Sequence, residues 1–196
     1  LKILLLKGIL PNEVAANVAC EYDQLRILQW MKENSLEMPD QYAVNRAALN
    51  GHLNVLKWLK ENKLLLPDQT GANCAAYKGR INILEWLKDN NLPIPNQSGA
   101  ICSGKVEILN WLKEHNLLLP DQSGANMAAM NGYINILEWM KENNLELPDQ
   151  EGAKSAATYG HVISLKWMKE NCKNISWNEI KKHTPHLHVL QWLNEQ

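Results

Sequence analysis

The chain has 196 residues, 45% hydrophobic and 21% charged, with a formal net charge of −1 and a pI near 6.7. That composition suits an ordered soluble protein, and so small a net charge gives no electrostatic reason to expect nucleic acid or an anionic membrane as partner. No apolar run approaches the roughly 18 residues of a spanning helix, so no membrane is expected either.

Residues 1–10 (LKILLLKGIL) read as the end of a helix and its exit loop, left from a preceding repeat, with Gly8 as the C-cap. The opening Leu marks the chain as a piece of something longer. From Pro11 one unit recurs, clearest in 120–147 (PDQSGANMAAMNGYINILEWMKENNLEL). Tryptophan shows the register at 30, 58, 86, 111, 139, 167 and 192, in steps of 28, 28, 25, 28, 28 and 25 residues. Self-similarity at a fixed period of this size signals stacked supersecondary units. The repeats are 11–38, 39–66, 67–94, 95–119, 120–147 and 148–175, with 176–196 a degenerate or capping repeat. The whole is read as a single array over 1–196.

Counting each unit from its proline as column 1, the pattern predicts two helices per repeat. Asp or Asn at column 2 (Asp40, Asp68, Asn96, Asp121, Asp149) offers an acceptor to the first free N–H groups of the first helix. Glycine at column 13 (Gly51, Gly79, Gly104, Gly132, Gly160) can reverse the chain in a left-handed conformation. The second helix carries an apolar arc such as Ile136, Leu137, Trp139 and Met140, and a short x-L-x-L segment follows it. The fourth repeat is three residues shorter, which trims its first helix and leaves a gap in the column 8 stripe. In the seventh, Ile180, Lys181, Lys182 and His183 replace the alanines, as suits a terminal unit facing water.

Two faces of the first helix behave differently. Columns 6, 9 and 10 hold small residues (Ala72, Ala75, Ala76; Ala125, Ala128, Ala129), which let helices approach closely. Columns 4, 8 and 11 lie opposite and vary from repeat to repeat. They bring forward Tyr42, Arg46, Leu49, Tyr77, Met127 and Met130, with Tyr159 beside column 11. Such residues are typical of interface cores, and a solvent face drifting freely would fill with charge instead. These seven are the candidate partner-binding residues.

No other constellation competes. The Trp column sits at the edge of the second helix's apolar arc, so it reads as core and not as a stacking platform. His183, His186 and His188 are close in sequence but lack zinc-like spacing, and the four cysteines form no CxxC. Cys20 and Cys74 read as buried thiols in a reducing compartment, hence a cytoplasmic protein, in host or producer cell. The Lys-Glu pairs of the second helices read as a solvated face. No nucleophile–base grouping or phosphate loop is present, so no catalytic, cofactor or metal residue is assigned and no enzyme is expected.

The A-A-x-x-G-H element (Ala47, Ala48, Gly51, His52), followed by a helix of the I-L-E-W-L-K type, resembles the ankyrin repeat. The unit is similar to the short, Trp-containing variant found in giant viruses, protists and some secreted effectors, where Ser176-Trp177-Asn178-Glu179 also resembles a common element. Each unit is about five residues shorter than the usual 33, which cuts the projecting hairpins to tight loops. The family's His column holds Asn17, Asn45, Asn73 and Asn126, with Lys154 in repeat 6. The resemblance implies a hydrogen-bonding role there, and an amide can bridge adjacent loops because it both donates and accepts. The expected fold is an all-α, ankyrin-like helical repeat solenoid with shortened inter-repeat loops. The expected function is a non-catalytic module, monomeric, for a protein or peptide partner. The alternative is a recruiting arm of a larger enzyme, ligase adaptor or secreted effector.

Overall fold

The structure, a computed structural model, describes residues 10–195. The reading of residues 1–9 as a helix end therefore lies outside the described residues. Every repeat folds as a helix pair. Repeat 1 gives α1 (Glu13–Glu21) and α2 (Leu25–Glu33), repeat 2 α3 (Gln41–Asn50) and α4 (Leu53–Glu61), and repeat 3 α5 (Gln69–Lys78) and α6 (Ile81–Asp89). Repeat 4 gives α7 (Gln97–Cys102) and α8 (Val106–Glu114), repeat 5 α9 (Gln122–Met130) and α10 (Ile134–Glu142). Repeat 6 gives α11 (Gln150–Thr158) and α12 (Val162–Asn171), and repeat 7 α13 (Trp177–His183) and α14 (Leu187–Asn194). The described residues contain no strand, and none of their helices is long and apolar enough to cross a membrane. The chain is an all-α helical repeat protein.

The capping pattern explains the boundaries. All five column 2 side chains accept from backbone N–H groups of the first turn, as Asp40 does from Ala43 N at 2.8 Å. Column 13 is left-handed in five repeats (Gly51 φ 87°), and Asp23 takes that conformation in repeat 1. A second left-handed residue ends the second helix: Ser35, Lys63, Asn91, Asn116 and Asn144. The signal for that turn lies one place beyond the asparagines at column 24, whose side chains instead bond back to the Trp carbonyl four residues earlier.

Contacts group the chain into two compact units, Leu1–Pro95 and Asn96–Gln196, divided where the shortened repeat begins. In the first, α1, α3 and α5 pack side by side, and α2, α4 and α6 each pack on their own first helix. In the second, α7, α9, α11 and α13 follow one another, with α8, α10, α12 and α14 forming the second layer. The alanines of the first helices and the Ile and Leu residues of the second form the core of each unit. Trp86, Trp111, Trp139, Trp167 and Trp192 are buried, whereas Trp30 and Trp58 are half-buried. Two of the indoles are tied to the preceding second helix, Trp139 Nε1 donating to Asn110 Oδ1 (2.7 Å) and Trp167 Nε1 to Glu138 Oε1 (2.5 Å).

Candidate functional site

The two faces of the first helices separate as their chemistry demands. Ala72, Ala75, Ala76, Ala125, Ala128 and Ala129 are fully buried, because methyl-sized side chains are what the neighbouring first helix accommodates. Turned away from them, Tyr42 is 70% exposed, Tyr77 52% and Tyr159 63%. Leu49, Met127 and Met130 are half-buried. Val14 and Val18, 64% and 51% exposed, extend the apolar surface of the first unit. Val18 stands at column 8, the column of Arg46 and Met127. Val14 shares column 4 with Tyr42, and reading that column in repeat 1 finds it.

Arg46 is not a free cation. Its Nε and Nη2 both donate to Glu21 Oε1 (2.9 and 2.7 Å), and that hydrogen bond raises the guanidinium pKa. Glu21 also supplies its carbonyl to Asn50 Nδ2 and His52 Nε2. The end of α1 is thus a polar knot between repeats 1 and 2, and Arg46 is held in place before any partner arrives. In the second unit, Cys102 fills column 8 of the shortened repeat, exposed and with Sγ 3.8 Å from Met127 Sδ. The expected gap in the stripe is therefore absent, because the deletion removes the helix's last turn and not its column 8.

A second set of polar groups joins repeat to repeat. The asparagine expected to bridge adjacent loops does so by both routes. Asn45 Nδ2 donates to Asp68 Oδ1 (2.9 Å), and Asn45 Oδ1 accepts from Asp68 N (3.2 Å). Asn17 treats Asp40, and Asn126 treats Asp149, in the same way. Glycine at column 5 makes room for the Asn45 bridge, since a Cβ on Gly71 would lie 2.5 Å from Asn45 Oδ1 and 2.8 Å from Pro67 Cβ, whereas repeat 2 makes the same bridge to Asn17 with Ala43 at that column. Where the asparagine is missing, a glutamine at column 3 takes over the accepting half, Gln97 Oε1 from Asp121 N and Gln150 Oε1 from Ser176 N.

The remaining candidates are absorbed into the scaffold. His52, His186 and His188 each point Nε2 at a main-chain oxygen (Glu21, Thr158 and Gly160; 2.8–2.9 Å), so that nitrogen carries the proton. The lysine stripe is exposed as expected but is more than a solvated face. Lys60, Lys113 and Lys141 donate to Asn90, Asn143 and Asn171 of the next repeat. Burial pushes the Cys20 thiol up to about 12, and burial raises Cys74 as well, so both stay protonated at neutral pH. Cys20 is buried as expected. Cys74 is only half-buried, because column 8 faces outward. Among the described residues no group of three or more His, Cys, Asp or Glu is placed to hold a metal.

No protein-family model matches the chain, and no curated protein does. Solved structures that resemble it include the maize pentatricopeptide repeat protein PPR10, at 12% identity over 99% of this chain and TM-score 0.45. The same protein in complex with an 18-nt psaJ RNA element matches at 14% identity, 99% coverage and TM-score 0.39, as does its C256S/C430S/C449S form with that RNA. The chain spans 36–40% of the length of those proteins. The fold is that of a helical repeat protein, and the expected ankyrin identity finds no matching family model. The exclusion of nucleic acid is corrected, since the helical repeat protein among these likenesses, PPR10, is solved with RNA bound. Net charge is a sum over the whole chain and does not govern what one face of it can hold. Scores this low carry no RNA function across to this chain.

Proposed function

We propose that the chain is a non-catalytic interaction module, presenting the outer face of its first helices to a protein or peptide partner. The observation that supports this reading is the exposure of Tyr42, Tyr77 and Tyr159 opposite buried alanines. Large amphipathic rings on a rigid helix give contact area at little entropic cost, and they recur as anchors at interfaces. Arg46, locked to Glu21, supplies a preorganised polar contact beside Leu49, and Met127 and Met130 add adaptable apolar surface. The four thiols are free, which suits a reducing compartment such as the cytoplasm.

The test compares wild type with the Tyr42→Glu, Tyr77→Glu, Tyr159→Glu triple variant in affinity capture from cell extract, with and without ribonuclease. Proteins captured by wild type and lost in the variant support the reading, with anchor losses of about 2 kcal/mol each. Folding should survive, since exposed changes usually stay within about 0.5 kcal/mol. Capture unaffected by the triple change, or abolished by ribonuclease alone, overturns it. Lys57→Glu with Asn82→Glu, exposed on second helices away from the lysines that tie repeats, is the matching control.

A further inference from the structure

In the second compact unit, two buried indoles take their acceptor from the residue just before the tryptophan of the preceding repeat. Trp139 Nε1 donates to Asn110 Oδ1 and Trp167 Nε1 to Glu138 Oε1, so an amide oxygen and a carboxylate oxygen both serve there. In repeat 6 that position is Lys166, whose ammonium only donates. The next indole is left without its acceptor. Trp192, 7% exposed, makes an aromatic contact but finds no hydrogen-bond partner among the described residues. Its N–H is not sealed in, however. Among those residues the side-chain atoms shut away from solvent without a partner are Gln150 Nε2 and Ser164 Oγ, so the Trp192 N–H keeps an opening.

That opening lies in a cleft. Trp192 and Lys166 line one hollow of about 550 Å³ together with Lys169, Glu170 and Glu195. A second hollow, of about 260 Å³, shares Lys169 and Trp192 and adds Trp177 and Lys181 from α13. Trp177 meets Trp192 edge-on, with ring centroids 5.8 Å apart and planes at 84°, which fixes the plane of the indole. Lys166 and Lys181 are exposed. Charge is concentrated here, since residues 162–196 carry five lysines against three glutamates in a chain whose net charge is −1. Lys57 holds the same position ahead of Trp86, but repeat 7 alone adds a tryptophan and a lysine, Trp177 and Lys181, from its first helix.

We propose that this double cleft binds an acidic peptide, one carboxylate oxygen accepting from Trp192 Nε1, the other lying against Lys166 Nζ, and a following carboxylate beside Lys181. The ligand class follows from the protein's own practice, since Glu138 sets a carboxylate oxygen on the indole N–H one repeat earlier. A single N–H beside an ammonium matches the two oxygens of a carboxylate. A phosphate carries more charge and more oxygens, and it meets Glu170 and Glu195 in the same walls with no guanidinium to offset them. A single exposed ammonium–carboxylate contact is weak, and two adjoining hollows favour a ligand that fills both. The site belongs to the second-helix layer and is independent of the tyrosine-bearing face.

The experiment follows the indole N–H resonances of the intact ¹⁵N-labelled chain, with Trp192 assigned by its loss in Trp192→Phe and Trp139 and Trp167 as internal references. The probe is acetyl-tetraglutamate amide. Acetyl-tetraglutamine amide, acetate and an oligouridylate of matching charge are the comparisons. A saturable shift confined to Trp192 is expected from tetraglutamate, at least about tenfold tighter than from acetate and absent with tetraglutamine. Lys166→Glu supplies Trp192 with the internal acceptor that Glu138 gives Trp167, and should abolish the response while the Trp139 and Trp167 resonances stay in place. An equal affinity for acetate overturns the proposal in favour of a small carboxylate, and an equal affinity for oligouridylate overturns it in favour of a phosphate chain. No shift at Trp192, or a shift undiminished in Lys166→Glu, overturns it as well.

Discussion

Two neighbouring junctions in the second compact unit are built differently, and column 7 carries one of the differences. Between repeats 5 and 6, Asn126 donates to the Asp149 carboxylate and accepts from the Asp149 N–H. Between repeats 6 and 7 the same column holds Lys154, which turns to Glu151 at 2.8 Å. An amide performs two roles at a repeat junction that a cation cannot, because it alone offers an acceptor. The missing acceptor is then drawn from Gln150, whose Nε2 is left buried without a partner. The alanine face changes at the same place, α11 keeping Ala153, Ala156 and Ala157 while α13 buries Ile180. One junction repeats the common pattern, and the other replaces it.

The bluntest way to break this comparison is a change that disregards it. Trp139→Ala should cost about 3–5 kcal/mol, as large-to-small core substitutions do, and it also removes the Nε1 bond to Asn110. Chemical denaturation should show it, with the remaining Trp emission moving red. Next, Asn126→Ala should destabilise by about 1–3 kcal/mol, since Asp149 loses both its partners in α9 at once. Its counterpart Gln150→Ala should stay within about 0.5 kcal/mol, because it removes one satisfied and one unsatisfied group together. Equal losses for the two would dissolve the distinction between the junctions. Lys154→Asn sharpens it from the other side, and should raise the melting temperature and slow amide exchange around Ser176. The smallest effect belongs to Lys141→Ala, within about 0.5 kcal/mol, because its bond to Asn171 lies in solvent.

How far the fold could be read in advance depended on which residues act locally. The caps at Asp40, Asp68, Asn96, Asp121 and Asp149 and the turns at Gly51 and its equivalents were legible because each satisfies groups within a few residues of itself. The alanine face and most of the Trp column followed from periodicity. The bridging asparagine was expected from the resemblance to the ankyrin repeat's His column, with the amide's ability to donate and accept. Its glutamine substitutes were not, since Gln97 and Gln150 look no different in sequence from Gln41 and Gln69. The lysine-to-asparagine ties were also hidden, because the partners are about one repeat apart and each residue alone reads as ordinary solvated surface.

The candidate surface shows the same division. Helical period alone put Tyr42, Tyr77 and Tyr159 opposite the packing alanines, since which side chains share a face depends only on angle around one helix. Pairing across repeats was decided only when the helices stacked. Stacking tied Arg46 to Glu21 and half-covered Leu49 and Met130, and it set Cys102 beside Met127. The orphaned amide at Gln150 is the plainest instance. Its environment depends on Lys154, Ser176 and the course of the loop after α12, and these meet only in three dimensions. Local hydrogen bonding and periodicity are written along the chain, whereas the satisfaction of a buried polar group is a property of everything packed around it.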